Sequence, residues 1–167
     1  MKIRSVLQVI LEQKAIGAIG IGFPASLVVD QYGEPSERID PQQFDLSDGC
    51  EIWNYDELQV WCDETGTIDR FFYNTQKKSR AISNENFNND IENCREVLED
   101  CDVATFIDIF GVDESNVEKK ATMISLSFWL GEGVEVFAVF TRENSDPNPG
   151  NQFLLSLLRM NSRGRKK

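Results

Sequence analysis

The chain has 167 residues, of which 41% are hydrophobic, and it contains 17 basic and 28 acidic residues but no histidine. This length and apolar fraction suit one domain or two small units that share a core, and they exclude disordered, collagen-like and membrane-spanning chains. The lack of an imidazole excludes Ser-His-Asp and Cys-His catalysis and zinc sites built on histidine. The composition therefore argues against an enzyme and favours a binding protein.

The negative charge belongs to the first 158 residues. Five of the basic residues lie in the last nine positions, which contain no acid, so residues 1–158 hold 12 basic and 28 acidic groups, a formal charge of −16. Such a surface repels nucleic acids and anionic lipids and attracts basic proteins or cations. We expect a basic protein partner, no nucleic-acid partner and no membrane attachment. An acidic coat that serves solubility alone is the alternative.

The cysteines indicate a reducing environment. Cys50, Cys62, Cys94 and Cys101 form no CxxC motif, and the polar residues that interrupt the N-terminal apolar run argue against a secretory leader. We therefore expect reduced, buried thiols and a cytoplasmic protein.

The first half of the chain predicts two helices followed by three strands. Apolar residues at a helical period indicate a helix over 5–14. A short helix over 24–31 follows, with Pro24 at its start and Gly33 at its end. Beyond a polar loop over 36–48, alternation and turn residues predict three strands, over 50–55, 58–62 and 67–73.

The same order of elements then returns. After a polar linker over 74–89, the pattern predicts two helices, over 87–98 and 103–110, and a polar loop over 113–120. A hairpin is then predicted from strands over 122–130 and 134–142. A closing helix is predicted over 151–160, before the basic tail.

This order predicts an α+β fold made of two tandem repeats, each with helices packed on one face of an antiparallel sheet. The first repeat spans 1–76 and the second spans 77–145. Residues 146–167 supply the C-terminal helix and the tail, and all three parts form one compact unit.

Alternation along the strands sorts their side chains into two faces. In the first sheet, the aliphatic set indicates a core wall, and it comprises Cys50, Ile52, Leu58, Val60, Cys62, Ile68 and Phe72. The opposite set mixes aromatic rings with polar groups, and it comprises Glu51, Trp53, Tyr55, Gln59, Trp61, Asp69, Phe71 and Tyr73. In the second sheet, the mixed set comprises Met123, Ser125, Ser127, Trp129, Glu135, Phe137 and Val139.

The two mixed sets form the candidate binding surface, because aromatic residues beside carboxylates resemble an interface centre with a polar rim. If the sheets join edge to edge, this surface is continuous and faces solvent. The alternative is that helices of the same chain, or a second copy in a homodimer, cover these aromatics. The predicted partner-binding residues are Glu51, Trp53, Tyr55, Asp56, Glu57, Trp61, Asp69, Phe71, Tyr73, Trp129 and Phe137.

Other motifs predict no cofactor and no metal. The glycines of 17–22 lack dinucleotide-loop spacing and follow a helix, and segment 63–69 lacks the full set of calcium ligands. Cys94 and Cys101 are better explained by packing than by redox chemistry or metal binding. Acidic loops form a second candidate surface for a basic partner, with a solvated surface as the alternative.

One run of residues resembles a known family. Segment 18–22, the run Gly33-Glu34-Pro35 that ends a short helix, and the strand Trp53-Asn54-Tyr55 before a hairpin resemble the repeat of small bacterial toxin-immunity proteins. A comparable helix-then-sheet unit occurs in outer-membrane assembly lipoproteins and, twice in tandem, in β-lactamase-inhibitor proteins. The match covers roughly 15–73, with a degenerate copy over 87–142. The chain departs from these families in having no lipoprotein cysteine near its start and no evident disulfide pattern.

The resemblance implies a cytoplasmic immunity-type protein that binds and occludes a toxin or enzyme domain, with no catalytic residue of its own. Two other hypotheses remain. The protein is a structural scaffold that dimerises through the aromatic face, or a hydrolase that works through paired carboxylates. The hydrolase is disfavoured because no acidic pair has a spacing that would place both groups on one wall.

Overall fold

A computed structural model gives the fold of the protein and describes residues 2–40, 51–77, 80–131, 133–146, 148 and 151–162. The first half begins with helices and a small hairpin, in the order α1 (Lys2–Gln13), β1 (Ala15–Ile16), β2 (Ile19–Gly20) and α2 (Ala25–Tyr32). Four strands follow, namely β3 (Glu37–Ile39), β4 (Glu51–Tyr55), β5 (Leu58–Cys62) and β6 (Ile68–Asn74).

The second half also begins with two helices, α3 (Glu85–Leu98) and α4 (Val103–Phe110). A 3₁₀ turn (Glu114–Asn116) then leads to four strands, which are β7 (Val117–Lys119), β8 (Met123–Leu130), β9 (Val134–Thr141) and β10 (Leu154–Ser162). The predicted helix over 103–110 and the predicted strand over 58–62 are confirmed. The loops predicted over 36–48 and 113–120 contain the short strands β3 and β7, and residues 41–50 lie outside the described part of the chain.

Local sequence signals set the helix ends. The Asn84 side chain accepts a hydrogen bond from the Phe87 amide (3.1 Å) at the start of α3. Asp102 accepts one from the Thr105 amide (2.7 Å) at the start of α4. These are N-cap interactions, which satisfy amides that have no partner within the helix. Gly111 ends α4 with a left-handed φ of 64°, which glycine adopts without strain.

The eight longer strands form one antiparallel sheet in the order β3-β4-β5-β6-β10-β9-β8-β7. The two halves of the chain meet where β10 pairs with β6, and we call this pair of strands the seam. Both edge strands, β3 and β7, have three residues and carry charged side chains such as Arg38 and Glu118. Short, charged edges disfavour pairing with a further strand.

The closing helix predicted over 151–160 is wrong, because most of this segment belongs to the central strand β10. Leu155, Leu158 and Met160 are buried in the core, and a β-bulge at Ser156 separates the first two by three residues. A bulge adds a residue to one strand, so it gives part of the strand a helix-like spacing of apolar residues. Leucine also has a high helix propensity, and sheet pairing overrides it here.

The helices form a layer on one face of the sheet. α1 contacts α3 and α4, and α2 contacts α3. A single hydrophobic core joins these helices to the strands, with Leu7, Tyr32, Phe87 and Phe106 from the helices and Val136 among the strand residues. We call the side of the sheet that meets this core the covered face and the opposite side the open face. The coarse prediction, helices packed against an antiparallel sheet, is confirmed.

Candidate protein-binding surface

The open face is defined by the strand residues that alternate with the core residues. Cross-strand partners share a face, so the pairing register assigns each side chain. Across the central strands, the open face comprises Ile52, Asn54, Gln59, Trp61, Arg70, Phe72, Met123, Ser125, Ser127, Trp129, Glu135, Phe137, Val139, Leu157, Arg159 and Asn161. The open-face residues of β8 and β9 are those of the predicted mixed set, so the alternation predicted for these two strands is confirmed.

The prediction of a solvent-facing surface is wrong for Trp53, Tyr55, Phe71 and Tyr73, for which the alternative, burial under helices of the same chain, is confirmed. Trp53 is 7% exposed and the other three are 0% exposed, because all four belong to the core of the covered face. A side chain with no exposed surface cannot contact a partner in this conformation. Two local features of the chain explain the error.

The first feature is the two-residue turn between β4 and β5. In such a hairpin the residues that flank the turn are cross-strand partners, so Tyr55 pairs with Leu58 and Trp53 with Val60. These partners share the covered face, although the prediction had placed them on opposite faces. Ile52, predicted for the core wall, therefore lies on the open face. Cys50 lies outside the described residues.

The second feature is a β-bulge in β6. Cys62 pairs with Ile68, whereas Trp61 pairs with Arg70, which leaves Asp69 as the extra residue. Beyond this bulge the alternation is inverted. Phe71 therefore lies on the covered face, and Phe72, predicted for the core, lies on the open face.

Asp56 and Glu57 have structural roles and do not form the predicted exposed rim. Asp56 is 2% exposed, and its carboxylate accepts hydrogen bonds from the backbone amides of Ala81 (2.8 Å) and Ile82 (3.3 Å). Glu57 is 6% exposed and receives two hydrogen bonds from the Arg95 guanidinium (2.6 and 2.9 Å). This turn thus ties the first half of the sheet to the linker and to α3.

The other two predicted carboxylates lie at the surface or near it. Glu51 is exposed and accepts a hydrogen bond from Arg38 (3.2 Å), and in β4 it points to the helix side of the sheet. Asp69 is half-buried at the bulge of β6. Of the predicted partner-binding residues, Trp61, Phe137 and Trp129 therefore share the open face, and Trp129 is 49% exposed.

Two arginine–aromatic pairs occupy the centre of the open face, and sequence reasoning missed both arginines. The Arg70 guanidinium lies over the Trp61 ring, 4.6 Å from its centroid. The Arg159 guanidinium lies over the Phe137 ring at 4.7 Å. Such stacking is a cation–π interaction. Because Arg70 lies on β6 and Arg159 on β10, each strand of the seam contributes one of the two pairs.

A chain of hydrogen bonds fixes the polar side of this surface. The Trp61 indole N–H donates to Gln59 Oε1 (2.8 Å), and Gln59 Nε2 donates to Asn54 Oδ1 (3.0 Å). Asn54 Nδ2 in turn donates to Glu37 Oε2 on the edge strand β3 (3.0 Å). Each side chain of the chain orients the next, so the Trp61 ring is held in a defined position.

The acidic charge lies mostly in the helix layer. Within the described residues, the carboxylates that the pairing register places on the open face are Glu37 and Glu118 on the edge strands β3 and β7, and Glu135 on β9, beside Arg159. The helices and their ends carry many more, including Glu12, Asp30, Glu85, Asp90, Glu92, Glu96, Glu99, Asp100, Asp102 and Asp108. The protein therefore has an acidic helix side and an open face with cations at its centre.

The cysteines support packing rather than chemistry. Cys62, Cys94 and Cys101 are buried, as predicted, and Cys94 and Cys101 are free thiols, while Cys50 lies outside the described residues. Burial raises the pKa of the Cys94 thiol to about 11 and that of Cys101 to about 12. Both thiols are therefore protonated at neutral pH, and a protonated thiol is a poor nucleophile and metal ligand.

No metal centre is formed among the described residues, where His, Cys, Asp and Glu side chains do not group in threes at ligating distance. In segment 63–69, Asp63 Oδ1 accepts hydrogen bonds from the Thr65 amide (2.9 Å), the Thr65 hydroxyl (2.6 Å) and the Thr67 amide (3.0 Å). These bonds lower the pKa of Asp63. They form a hairpin turn, as predicted for this segment in place of a calcium loop.

One surface depression bears on the hydrolase hypothesis. It has a volume of about 680 Å³, and its lining includes Glu99, Asp100 and Glu143. All three carboxylates are exposed, whereas catalytic carboxylates commonly depend on burial or a close neighbour to set their protonation. The depression therefore gives no support to a catalytic role.

Comparison with known proteins leaves the family open. No family model matches the chain, and no curated protein matches it. The chain is similar to a protein in a 1.5 Å crystal structure, an extracellular protein containing an SCP domain from Bacillus anthracis str. Ames, with 11% identity and a TM-score of 0.47. The alignment covers 86% of this chain and 44% of that protein, so this chain spans less than half of its length. None of the described helices is long and apolar enough to cross a membrane.

Proposed function

We propose that the protein is an immunity-type inhibitor that binds a partner toxin or enzyme domain and occludes it without covalent chemistry. The observation that carries this proposal is the open face, on which Trp61, Phe72, Phe137 and Trp129 share one side of a sheet whose other side is packed with helices. Contiguous apolar patches on a protein surface commonly mark interaction sites. Aromatic residues also contribute much of the binding energy of protein interfaces.

The proposal includes a tandem repeat, which the element order supports. Each half has two helices followed by four strands of the main sheet, and the first half has in addition the small β1–β2 hairpin between its helices. The strand order is mirrored about the seam, from β3-β4-β5-β6 to β10-β9-β8-β7. Because β10 supplies the fourth strand of the second half, we extend the second unit to residue 162. The inhibitor proteins that the sequence resembles carry two helix-plus-sheet units in a chain of similar size.

Inhibition in this proposal is steric and electrostatic. A rigid sheet that seats on the partner excludes its substrate, and pre-organised side chains reduce the entropy lost on binding. The formal charge of −11 speeds encounter with a partner of net positive charge. We place this activity in the cytoplasm, where the free thiols of Cys94 and Cys101 suit the reducing conditions.

The test is affinity capture of the partner from the native host, followed by co-expression of the captured domain with the inhibitor. We expect Trp61→Ala and Trp129→Ala to lower affinity for the captured domain about tenfold or more and to abolish protection of the co-expressing cells. Val9→Ala is the matched control, because Val9 is an exposed apolar residue (48%) on α1, within the helix layer.

Two results would contradict the proposal. Unchanged affinity of folded Trp61→Ala and Trp129→Ala variants would show that the open face is not the binding surface. A stable dimer of the free protein in sedimentation analysis, dispersed by Trp129→Ala, would favour the self-associating scaffold instead.

A further inference from the structure

We infer that the partner presents carboxylate groups to the centre of the open face, where Arg70 and Arg159 receive them. This inference rests on the proposed function and specifies the chemistry of the partner surface. It reverses the expectation from composition in one respect. The protein as a whole is acidic, but the centre of its candidate interface binds acids.

The positions of the two arginines favour a shared ligand surface. Arg70 pairs with Asn161 across the seam, and Arg159 pairs with Phe72. The arginines are thus diagonal neighbours on adjacent strands, about 7–8 Å apart at the backbone. Each guanidinium lies over a ring on the next strand outward. Phe72 adjoins both arginines, Arg70 along β6 and Arg159 across the seam, so the two cations can meet two carboxylates next to an apolar group.

The Arg70 guanidinium has hydrogen-bonding capacity left over. Its Nε donates to Asn161 Oδ1 (3.3 Å), while its two terminal nitrogens make no hydrogen bond within the described part of the chain. Stacking on Trp61 fixes the plane of the group and leaves its edge open to a ligand. An arginine edge matches the two oxygens of a carboxylate, and stacking reduces the entropy lost when that pair forms.

The Arg159 guanidinium also has unused hydrogen-bonding capacity. Its Nε is buried and has no hydrogen-bond acceptor among the described residues. The guanidinium forms an ion pair with Glu135, but at 3.6 Å from Nη2 this contact is longer than a hydrogen bond. A half-buried cation with weak compensation gains more from an incoming carboxylate than a fully solvated one does.

Charge complementarity favours a protein with surface carboxylates over the other occupants. A second copy placed face to face about a two-fold axis at the seam would bring arginines against arginines. Single-stranded nucleic acid could stack its bases on the aromatic rings, but a formal charge of −11 and the carboxylates of Glu37 and Glu118 at the two edges of the face repel a phosphate chain. A partner with a positive net charge is attracted by the acidic protein as a whole. If its contact patch carries carboxylates, it also fits Arg70 and Arg159.

The test is a selection of random twelve-residue peptides, displayed on phage, for binding to the full-length protein. We expect the enriched peptides to combine Asp or Glu with aromatic or aliphatic residues. A synthetic copy of the most enriched peptide should lose about tenfold or more affinity for Arg70→Gln and for Arg159→Gln. Arg142→Gln is the matched control, since Arg142 also stacks on a ring (Phe153, 4.3 Å) but lies away from the seam. Circular dichroism verifies that each variant is folded.

The other outcomes overturn the inference and separate it from the proposed function. Enriched peptides that are basic, or that require Trp61 but neither arginine, remove the carboxylate inference and leave the open face as a protein-binding surface. Failure to enrich any peptide that needs the open face also overturns it, while partner capture tests the proposed function independently. Arginine-dependent binding of a twelve-residue oligothymidylate would assign the site to phosphates. A dimer dispersed by Arg70→Gln would assign it to a second copy.

Discussion

The two faces of the central sheet use similar residues for different purposes. On the covered face, Phe71 and Tyr73 are completely buried in the core. On the open face, Phe72 and Trp61 are only half-buried. Phe71 and Phe72 are adjacent in one strand, so the face, and not the residue type or the local sequence, decides whether a ring stabilises the fold or remains available to a partner.

A pair of substitutions in one strand gives the largest expected contrast between the faces. Phe71→Ala should lower the free energy of unfolding by about 3–5 kcal/mol, because it leaves a cavity in the core. Phe72→Ala should lower it by about 1 kcal/mol or less, because the ring is only half-buried. Urea denaturation of the two variants measures both values, and equal losses would contradict the assignment of faces.

Two arginines provide the next contrast. Arg95→Met should lower the free energy of unfolding by about 3 kcal/mol, because it leaves the Glu57 carboxylate buried without its partner. A second substitution, Glu57→Gln, should recover part of this loss. Arg70→Met on the open face should leave stability within about 0.5 kcal/mol of wild type. Denaturation of the three variants tests this, and a larger loss for Arg70→Met than for Arg95→Met would refute it.

Two buried tyrosines of the core differ in the hydrogen bonding of their hydroxyl groups. Tyr32 Oη accepts a hydrogen bond from the Ala18 amide (2.8 Å) and donates one to Asp90 (2.6 Å). Tyr32→Phe should therefore cost about 1–2 kcal/mol. Tyr73 Oη is buried without a hydrogen-bond partner in the described residues, so Tyr73→Phe should be neutral or stabilising. Thermal unfolding of both variants checks the order, and the reverse order would contradict these hydrogen-bond assignments.

The smallest expected effect is a pH dependence at the β5–β6 turn. Hydrogen bonds from Thr65 and Thr67 lower the pKa of Asp63 in the folded protein. The ionised carboxylate therefore contributes fully to stability above the unfolded-state pKa, near 3.9. This contribution is lost as the pH falls through the lower pKa of the folded state. Asp63→Asn should thus be less stable than wild type at pH 7 and equal to it in strong acid. Urea denaturation across this range, with Glu64→Gln as the control, measures the difference, and a gap that widens in acid would contradict the assignment.

The sequence predicted the elements better than their faces. The helix over 103–110 was predictable because Gly111 marks its end. The second hairpin was predictable because Gly131 and Gly133 lie in its turn and its strands β8 and β9 alternate without a bulge. In the first hairpin, the turn at Asp56 was recognised, but its consequence for facing was not. The rule that Tyr55 and Leu58 are partners across a two-residue turn was available from the sequence.

The bulges explain what sequence reasoning could not supply. Asp69 in β6 and Ser156 in β10 each interrupt the alternation, and no local residue pattern marks them. The bulge in β6 concealed that Arg70 and Phe72 lie on the open face. The leucine-rich start of β10 favoured a helix and hid Arg159 from the candidate site. Both arginines of the open face therefore became visible only through the strand pairing.

The central position of β10 has a consequence for how the protein is made. β10 pairs with β6 on one side and with β9 on the other, so the two halves of the sheet join only after residue 162 has been synthesised. During translation, β6 and β9 expose strand edges that need temporary protection from other chains. Arg159 reaches its place beside Phe72 at the same late step. A ribosome product that stops before β10 thus lacks the centre of the open face as well as the finished fold.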